Sequence, residues 1–239
     1  MHNLVSESNV LDWINESVKE CRSSYPMLQQ KLPVAIDIGA NVGGFCINAY
    51  SHFDKIYAFE PCSSNYDILL RVKEKLKMNN VEIFNMAVAG KSNETRTLKI
   101  HQNNHSKDIS CADFDAEEFK FANLGETCTT ISLSDLMERL QIKRINYLKL
   151  DCEGSEYEIL ENFHEHHRIS IIAMELHGFY GPDRKRDLLL FLNKFYYILP
   201  LVKKQKIQLE NIKKQAMDDF KLLHGKNNFF CLNRGAVAT

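Results

Sequence analysis

The sequence predicts an α/β fold built around a doubly wound parallel sheet. Short apolar segments alternate with longer segments whose apolar residues recur at helical spacing. This order of strand and helix is typical of a parallel sheet that is covered on both faces. The chain has 239 residues, which is the size of one large domain or two small ones. No internal repeat or low-complexity linker divides it, so we expect one domain with insertions.

The composition excludes several classes of protein. Hydrophobic residues make up 44% and charged residues 26% of the chain, a globular mixture that excludes a disordered or collagen-like protein. The formal net charge of −1 provides no overall field for gathering nucleic acid or an acidic membrane. The seven cysteines are scattered without a C-x-x-C pair, so neither a disulfide framework nor a zinc ribbon is indicated. We therefore expect free thiols in a cytoplasmic protein without a signal peptide or a membrane span.

The first elements follow from the spacing of apolar residues. Residues 1–32 are expected to form a helical lead-in, because apolar residues between Leu11 and Val18 recur at helical spacing. Residues 33–239 then carry the alternating elements. The first of these are a strand over Val34–Ile38, a helix over Gly43–Ser51, a strand over Ile56–Glu60, a helix over Tyr66–Met78 and strands over Val81–Val88 and Thr95–Ile100.

Two stretches interrupt the alternation. Residues 101–126 are polar and poor in periodicity, and residues 203–226 are rich in Lys and Gln. Stretches of this length inside a compact domain are usually functional or mobile, and we interpret both as insertions. The remaining predicted elements are a strand over Cys128–Leu133, a helix capped by Ser134, a strand over Ile145–Asp151, a helix over Ser155–Phe163, a strand over Ile169–Leu176, a helix over Asp187–Phe195 and strands over Tyr196–Val202 and Asn228–Leu232.

The turn after the first strand, with the sequence DIGANVGG, is the most informative segment. Glycines at a strand-to-helix turn let the backbone approach a ligand closely, and the helix N-terminus offers free N–H groups. A dinucleotide-binding turn would have the pattern G-x-G-x-x-G, but Asn41 replaces its middle glycine. Asp37, two residues before Gly39, would repel a phosphate. A carboxylate at this place suits a cationic or hydroxyl-rich ligand.

Glu60 ends the second predicted strand, 21 residues after Gly39. An acid at this position commonly accepts hydrogen bonds from the hydroxyls of a nucleoside ribose. The two features together fit S-adenosylmethionine, whose amino-acid and sulfonium groups are cationic and whose ribose is free. The alternative interpretation is that Glu60 is a solvated acid at a strand end and Gly39 only permits the turn.

Carboxylates crowd a second turn at the same expected edge of the sheet. Asp151 ends a strand, Glu153 follows in the turn, and Glu156 lies in the first turn of the next helix. Carboxylates this close raise one another's pKa, and one of them could be a general base. For Glu156 we favour a different role, an acid well placed against the helix dipole. Glu175 and His177 end the next strand, where each could be a base, a substrate ligand or a polar residue at the rim.

Asp151, Glu153 and His177 also carry oxygen and nitrogen donors that suit a divalent metal. A metal there is an alternative that we do not predict.

Six segments follow one another along residues 33–232: DIGANVG, AFEP, NMAV, TISLSDL, KLDCEGSEYEIL and MELH. Their order and spacing resemble those of the FkbM-type methyltransferases. The resemblance implies a class I methyltransferase fold, which is a Rossmann-like, doubly wound sheet of seven strands with an antiparallel last strand. It also implies transfer of a methyl group from S-adenosylmethionine, generally to hydroxyl oxygens of sugars or secondary metabolites.

The resemblance assigns expected roles to particular residues. It marks Asp151, Glu153 and Glu156 as the motif of the active edge. Our catalytic candidates are Asp151, Glu153 and His177. Cofactor binding is implied for Asp37, Gly39, Ala40, Asn41, Gly43, Glu60, Met86 and Ala87.

We therefore predict an S-adenosylmethionine-dependent O-methyltransferase whose acceptor is a small molecule or a carbohydrate, with no nucleic-acid partner. One alternative is a base methyltransferase for RNA or DNA, although no N-P-P-Y-type motif follows the strand that ends at Asp151. A second is an NAD-linked oxidoreductase, against which Asn41 and Asp37 argue. A third is a cofactor-binding module without catalysis. The acceptor's identity and the oligomeric state are not predicted.

Overall fold

The computed structural model describes residues 7–101, 109–114, 117–201 and 228–237. Its helices are α1 (Glu7–Ser24), α2 (Gly44–Ala49), α3 (Ser63–Leu76), α4 (Leu133–Arg139), α5 (Glu156–Asn162) and α6 (Gly181–Leu192). Its strands are β1 (Leu32–Ile38), β2 (Phe53–Phe59), β3 (Val81–Phe84), β4 (Ala87–Ala89), β5 (Thr95–His101), β6 (Ile109–Ser110), β7 (Phe121–Ser132), β8 (Ile145–Leu150), β9 (Ile169–Glu175), β10 (Tyr196–Pro200) and β11 (Asn228–Asn233). Short 3₁₀ helices cover Tyr50–His52, His166–Arg168, Gly178–Tyr180 and Arg234–Val237.

A seven-stranded sheet in the order β10-β11-β9-β8-β1-β2-β3 forms the centre of the molecule. Strand β1 pairs in parallel with β2 and β8, whereas β11 pairs antiparallel with both β9 and β10. The predicted sheet of seven strands with an antiparallel last strand is therefore confirmed. The strand order reverses between β1 and β8, and ligands bind beyond the carboxyl ends of the strands at such a point.

Both faces of this sheet are buried, which explains why its central strands are almost continuously apolar. On one face Ile36 and Leu148 pack among residues of α4, α5 and α6. On the other face Ala35 and Tyr147 pack among residues of α2 and α3, with α1 alongside. The sheet is thus held rigidly from both sides, and its carboxyl edge is a fixed base for a site.

A second sheet, in the order β4-β7-β5-β6, corrects two predictions. The single strand predicted over Val81–Val88 is divided between β3 and β4, which belong to different sheets. The chain turns at Asn85, whose Nδ2 donates to the backbone carbonyl oxygens of Glu60 and Pro61, both at 3.0 Å. Residues 101–126, interpreted from the sequence as an insertion poor in periodicity, contain β6 and the first part of β7. There β7 alternates buried or half-buried residues with more exposed ones.

Two helix starts also differ from the predictions. Helix α4 is capped by Ser132, whose Oγ accepts from the backbone N–H of Asp135 at 3.1 Å, rather than by Ser134. Helix α6 begins at Gly181 rather than at Asp187, and Pro182 provides the fixed φ that suits a helix start. The predicted insertion over residues 203–226 lies outside the described residues. All seven cysteines are free thiols.

No helix in the described part of the chain is both long enough and apolar enough to cross a membrane.

Candidate active site

A cavity of about 670 Å³ opens where the strand order of the large sheet reverses. This volume lies within the range of small-molecule and cofactor sites. The turns after β1, β2 and β8 line it, together with β4 and the end of β9. The lining residues from these elements include Gly39, Ala40, Asn41, Glu60, Pro61, Ala87, Val88, Asp151, Glu153, Glu175 and His177.

The turn after β1 is pressed against the turn after β8. Gly39 has φ +76°, and a Cβ atom there would lie 1.8 Å from the backbone oxygen of Asp151. The backbone N–H groups of Gly39 and Ala40 both donate to the carbonyl oxygen of Phe59, at 3.1 and 3.0 Å. The glycine is thus required by the close approach of two protein turns, in addition to any approach of a ligand.

A buried ion pair lies beneath this turn. Lys149 Nζ is 3.1 Å from Asp37 Oδ1, and the two side chains are 2% and 0% exposed. The ammonium group also donates to the carbonyl oxygens of Gly39 at 2.6 Å and Ile38 at 3.3 Å. Burial by itself would lower the pKa of Lys149, but Asp37 and Asp151 raise that pKa above its usual value, so the lysine stays charged. The Asp37 charge is therefore neutralised inside the protein.

Glu60 joins the turns that follow β1 and β2. Its Oε2 accepts from the backbone N–H of Asn41 at 2.8 Å, and its Oε1 accepts from that of Cys62 at 3.0 Å. Burial raises the pKa of Glu60 to about 7, although the two backbone hydrogen bonds act in the opposite direction. Each carboxylate oxygen can accept a second hydrogen bond, so Glu60 can still receive a ligand hydroxyl.

Glu156 organises the turn after β8. Its carboxylate is completely buried and accepts from the backbone N–H groups of Cys152 at 2.9 Å and Gly154 at 3.0 Å. Its Oε1 also lies 3.1 Å from His177 Nδ1. Glu156 does lie in the first turn of α5, as the helix-dipole interpretation requires, but its contacts show that it also holds the turn and orients the histidine.

The three catalytic candidates meet at one point. His177 Nε2 lies 3.2 Å from Glu153 Oε2 and 4.0 Å from Asp151 Oδ1. Burial would lower the pKa of His177, but Glu153 and Glu156 raise it well above its ordinary value, so the ring is an imidazolium at neutral pH. One ligand atom from each of Asp151, Glu153 and His177 lies within 4.8 Å of the others, so these residues could also hold a divalent metal.

Comparison with known proteins bears on this arrangement. The family model described as "Methyltransferase FkbM domain" matches residues 37–203, which is more than half of the chain.

The chain belongs to the FkbM methyltransferase family.

This confirms the resemblance inferred from the motifs. A search among curated proteins finds no match.

A solved structure of an FkbM methyltransferase agrees with the fold, and two further methyltransferases are similar at lower scores. The FkbM methyltransferase of Methylobacillus flagellatus KT is 14% identical, with a TM-score of 0.52 over 92% of this chain and 50% of that one. The chain thus spans about half the length of that protein. An rRNA methylase of Streptococcus thermophilus is 8% identical, with a TM-score of 0.46 over 96% and 97% of the two chains. A putative methyltransferase of Streptococcus mutans in complex with SAH is 10% identical, with a TM-score of 0.47 over 93% and 97%.

The cofactor residues implied by the FkbM resemblance divide into two groups. Five of them line the cavity: Gly39, Ala40, Asn41, Glu60 and Ala87. Three lie outside the lining. Asp37 is buried against Lys149, Gly43 precedes α2 with φ +96° and faces Leu69, and Met86 packs against the core beneath β4.

Asn65 is a lining residue that the sequence reasoning missed. It lies in the first turn of α3 and is 1% exposed, and its Oδ1 has no hydrogen-bond partner among the described residues. A buried acceptor without a partner is costly, so Asn65 is suited to receive a hydrogen bond from a ligand. The available signal was its position on the apolar face of α3, four residues before Leu69 and seven before Val72.

The helical lead-in also contributes to the site. Trp13, Glu16, Ser17, Glu20 and Cys21 of α1 line the cavity. Helix α1 packs closely on α2, since a Cβ on Gly44 would lie 2.5 Å from the Ser17 carbonyl oxygen. With these residues the lining is strongly acidic: its carboxyl groups are Glu16, Glu20, Glu60, Asp151, Glu153 and Glu175, against one lysine and two histidines.

Proposed function

We propose that this chain transfers a methyl group from S-adenosylmethionine to a hydroxyl oxygen of an uncharged small molecule or carbohydrate. The observation that carries the proposal is the placing of two sets of acids in one cavity. Glu60 stands at the end of β2, where a nucleoside ribose is expected, and Asp151, Glu153 and His177 stand across the point where the strand order reverses.

The charge of the cavity supports this cofactor. S-adenosylmethionine carries a sulfonium and an ammonium group, and six carboxyl groups line the space that would receive it. Burial raises the pKa of two of them, Glu60 and Glu175, to about 7, so the other four carry most of the negative charge at neutral pH. The dinucleotide of an NAD-linked enzyme carries a pyrophosphate, and a nucleic-acid substrate carries a phosphate backbone; both would be repelled by the same lining. The acidic lining therefore disfavours both an NAD-linked oxidoreductase and a base methyltransferase for RNA or DNA.

The chemistry at the second set of acids is proton removal. The methyl group leaves the sulfonium and forms a bond with the acceptor oxygen, so the sulfonium becomes a neutral thioether. The acceptor O–H bond breaks, and its proton passes to the carboxylate of Asp151 or Glu153. A hydroxyl has a pKa far above neutral, so a positioned base accelerates this step by about 10²–10⁴-fold. The donor is already activated, and positioning by the turns supplies the rest.

The test is calorimetric titration with S-adenosylhomocysteine and, separately, with NAD. We expect S-adenosylhomocysteine to bind and NAD to bind at least tenfold more weakly. The O-methyl assignment is then tested by incubation with methyl-labelled S-adenosylmethionine and a panel of neutral hydroxyl compounds, with the methylated atom located by NMR. Equal or preferred binding of NAD would overturn the cofactor assignment, and labelling only at nitrogen or carbon would overturn the O-methyl assignment.

A further inference from the structure

Part of the cavity wall is aromatic and adjoins the cluster formed by Asp151, Glu153 and His177. Phe119, Phe121 and Phe179 line the cavity. The Phe179 ring is stacked on the His177 imidazole, with ring centroids 5.6 Å apart and planes at 16°. Phe119 and Phe121 meet Phe179 edge to face, with centroids at 5.0 and 5.6 Å. An apolar wall of aromatic rings thus begins directly beside His177.

Contacts behind the wall fix the orientation of its rings. Phe114 is stacked on Phe179 with centroids 4.4 Å apart, but it does not line the cavity. A Cβ on Gly154 would lie 2.9 Å from Phe179 Cδ2, so this ring rests against the catalytic turn. Tyr180 Oη donates to the Asp113 carbonyl oxygen at 3.1 Å, and this hydrogen bond links the segment that carries Phe179 to the segment that carries Phe114. These contacts hold Phe179 in the wall.

The charge around the wall restricts what it can bind. Lys99 Nζ lies 4.7 Å from the centre of the Phe114 ring and donates to the Ala112 carbonyl oxygen at 2.8 Å, and Lys99 is not among the lining residues. The carboxylates of Asp151 and Glu153 face the same cavity. An anionic acceptor would be repelled by these carboxylates, and the cationic ring beside them, His177, is already paired with Glu153 at 3.2 Å.

We propose that Phe119, Phe121 and Phe179 form a platform on which the acceptor lies, and that the acceptor is an uncharged ring with a flat apolar face and a hydroxyl on its edge. This inference rests on the proposed function. The C–H face of a sugar ring or the face of a phenol packs on aromatic rings, and the edge hydroxyl then points towards Asp151 and Glu153. A linear polyol offers the same hydroxyl donors but no face.

The experiment measures binding to the protein loaded with S-adenosylhomocysteine by saturation-transfer NMR. Three probes are used: methyl β-D-glucopyranoside, catechol and sorbitol. We expect at least one ring probe to bind and sorbitol not to bind, and the comparison of glucoside with catechol identifies the kind of ring. Phe119→Leu and Phe179→Leu keep apolar volume but remove the flat face, and we expect each to weaken the ring probe about three- to tenfold. Phe191→Leu is the matched control, since Phe191 is a partly buried phenylalanine of α6 that packs on His166 and Phe195 and does not line the cavity.

The outcomes separate this inference from the proposed function. Loss of S-adenosylhomocysteine binding in the wild-type protein would contradict the proposed function. If S-adenosylhomocysteine binds normally but neither ring probe binds, or sorbitol binds as well as they do, the platform is wrong. It is equally wrong if Phe191→Leu weakens the ring probe as much as Phe119→Leu and Phe179→Leu do. Circular dichroism and unchanged S-adenosylhomocysteine affinity show that each variant is folded.

Discussion

Replacing Asp151 by Asn, or Glu153 by Gln, tests which carboxylate receives the acceptor proton. Each change keeps the size of the side chain and removes its charge. Glu153 has φ +52°, and a glutamine meets the same backbone demand as the glutamate it replaces, so we expect no added strain. The carboxylate of Glu156 accepts the hydrogen bonds from the backbone N–H groups of Cys152 and Gly154 that hold the turn, and it is unchanged in both variants. Both variants should therefore fold and retain the shape of the cavity.

The expected effect is on turnover rather than on cofactor affinity. If one residue is the base, its neutral variant should lose a factor of about 10²–10⁴ in kcat, the usual contribution of a general base. The Glu153→Gln variant carries a second consequence. In the wild-type protein the Glu153 carboxylate lies 3.2 Å from His177 Nε2, and it is the first of the charges that raise the pKa of that histidine. Its loss should therefore lower the pKa of His177, measurable by NMR titration of the ring protons.

The assay is methyl transfer from labelled S-adenosylmethionine, with S-adenosylhomocysteine affinity measured in parallel by calorimetry. Glu161→Gln is a suitable control, because Glu161 lies on the exposed side of α5 and pairs with Arg184 at 3.0 Å. Normal turnover in both test variants would refute the assignment of the base. A parallel loss of cofactor affinity and turnover would place the residue against the cofactor instead.

Three further changes have definite expected outcomes. Glu60→Gln should weaken S-adenosylhomocysteine binding by about 1–3 kcal/mol in calorimetry, the cost of leaving hydrogen-bond partners unsatisfied. Because burial raises the pKa of Glu60 to about 7 and ribose hydroxyls donate to the ionised form, wild-type affinity should rise from pH 6 to pH 8. This rise should be smaller in Glu60→Gln, where Glu175, whose pKa burial also raises to about 7, still titrates in the cavity. Lys149→Met leaves Asp37 buried without its cation and should lower the free energy of unfolding, measured in urea, by about 3–5 kcal/mol. The double variant Lys149→Met with Asp37→Asn should recover part of this stability, and recovery of none of it would refute the pairing. Chelation with EDTA should leave turnover unchanged, because His177 is already paired with Glu153; activity lost on chelation and restored by Mg²⁺ would instead assign a metal to that cluster.

The main sheet could be predicted because its strands are buried on both faces and are therefore continuously apolar. The second sheet could not be predicted in full. Nothing in the letters VEIFNMAV marks the turn at Asn85, which depends on hydrogen bonds to Glu60 and Pro61, residues far away in sequence. The first half of β7 contains polar residues on a partly exposed ribbon, and its pairing with β5 depends on partners that no local pattern specifies.

The site residues that could be predicted are those that end strands. Glu60, Asp151, Glu153 and His177 stand at or just beyond the carboxyl ends of β2, β8 and β9, and a parallel sheet brings such ends to one edge. Asn65 and the residues of α1 were missed because they reach the cavity from helices. Their contribution depends on how each helix packs, which the spacing of apolar residues does not reveal.

Asp37 shows why the charge of a site requires the structure. Its place before Gly39 suggested that its carboxylate attracts a cationic ligand, but Lys149 neutralises it beneath the turn at 3.1 Å. The attraction for a cation must then come from the acids that line the cavity, two of which, Glu16 and Glu20, belong to α1. The ion pair instead fixes the turn, because the same ammonium group binds the carbonyl oxygens of Ile38 and Gly39. The first acid of the motif thus shapes the turn after β1, and the helical lead-in supplies part of the charge that the motif alone was expected to provide.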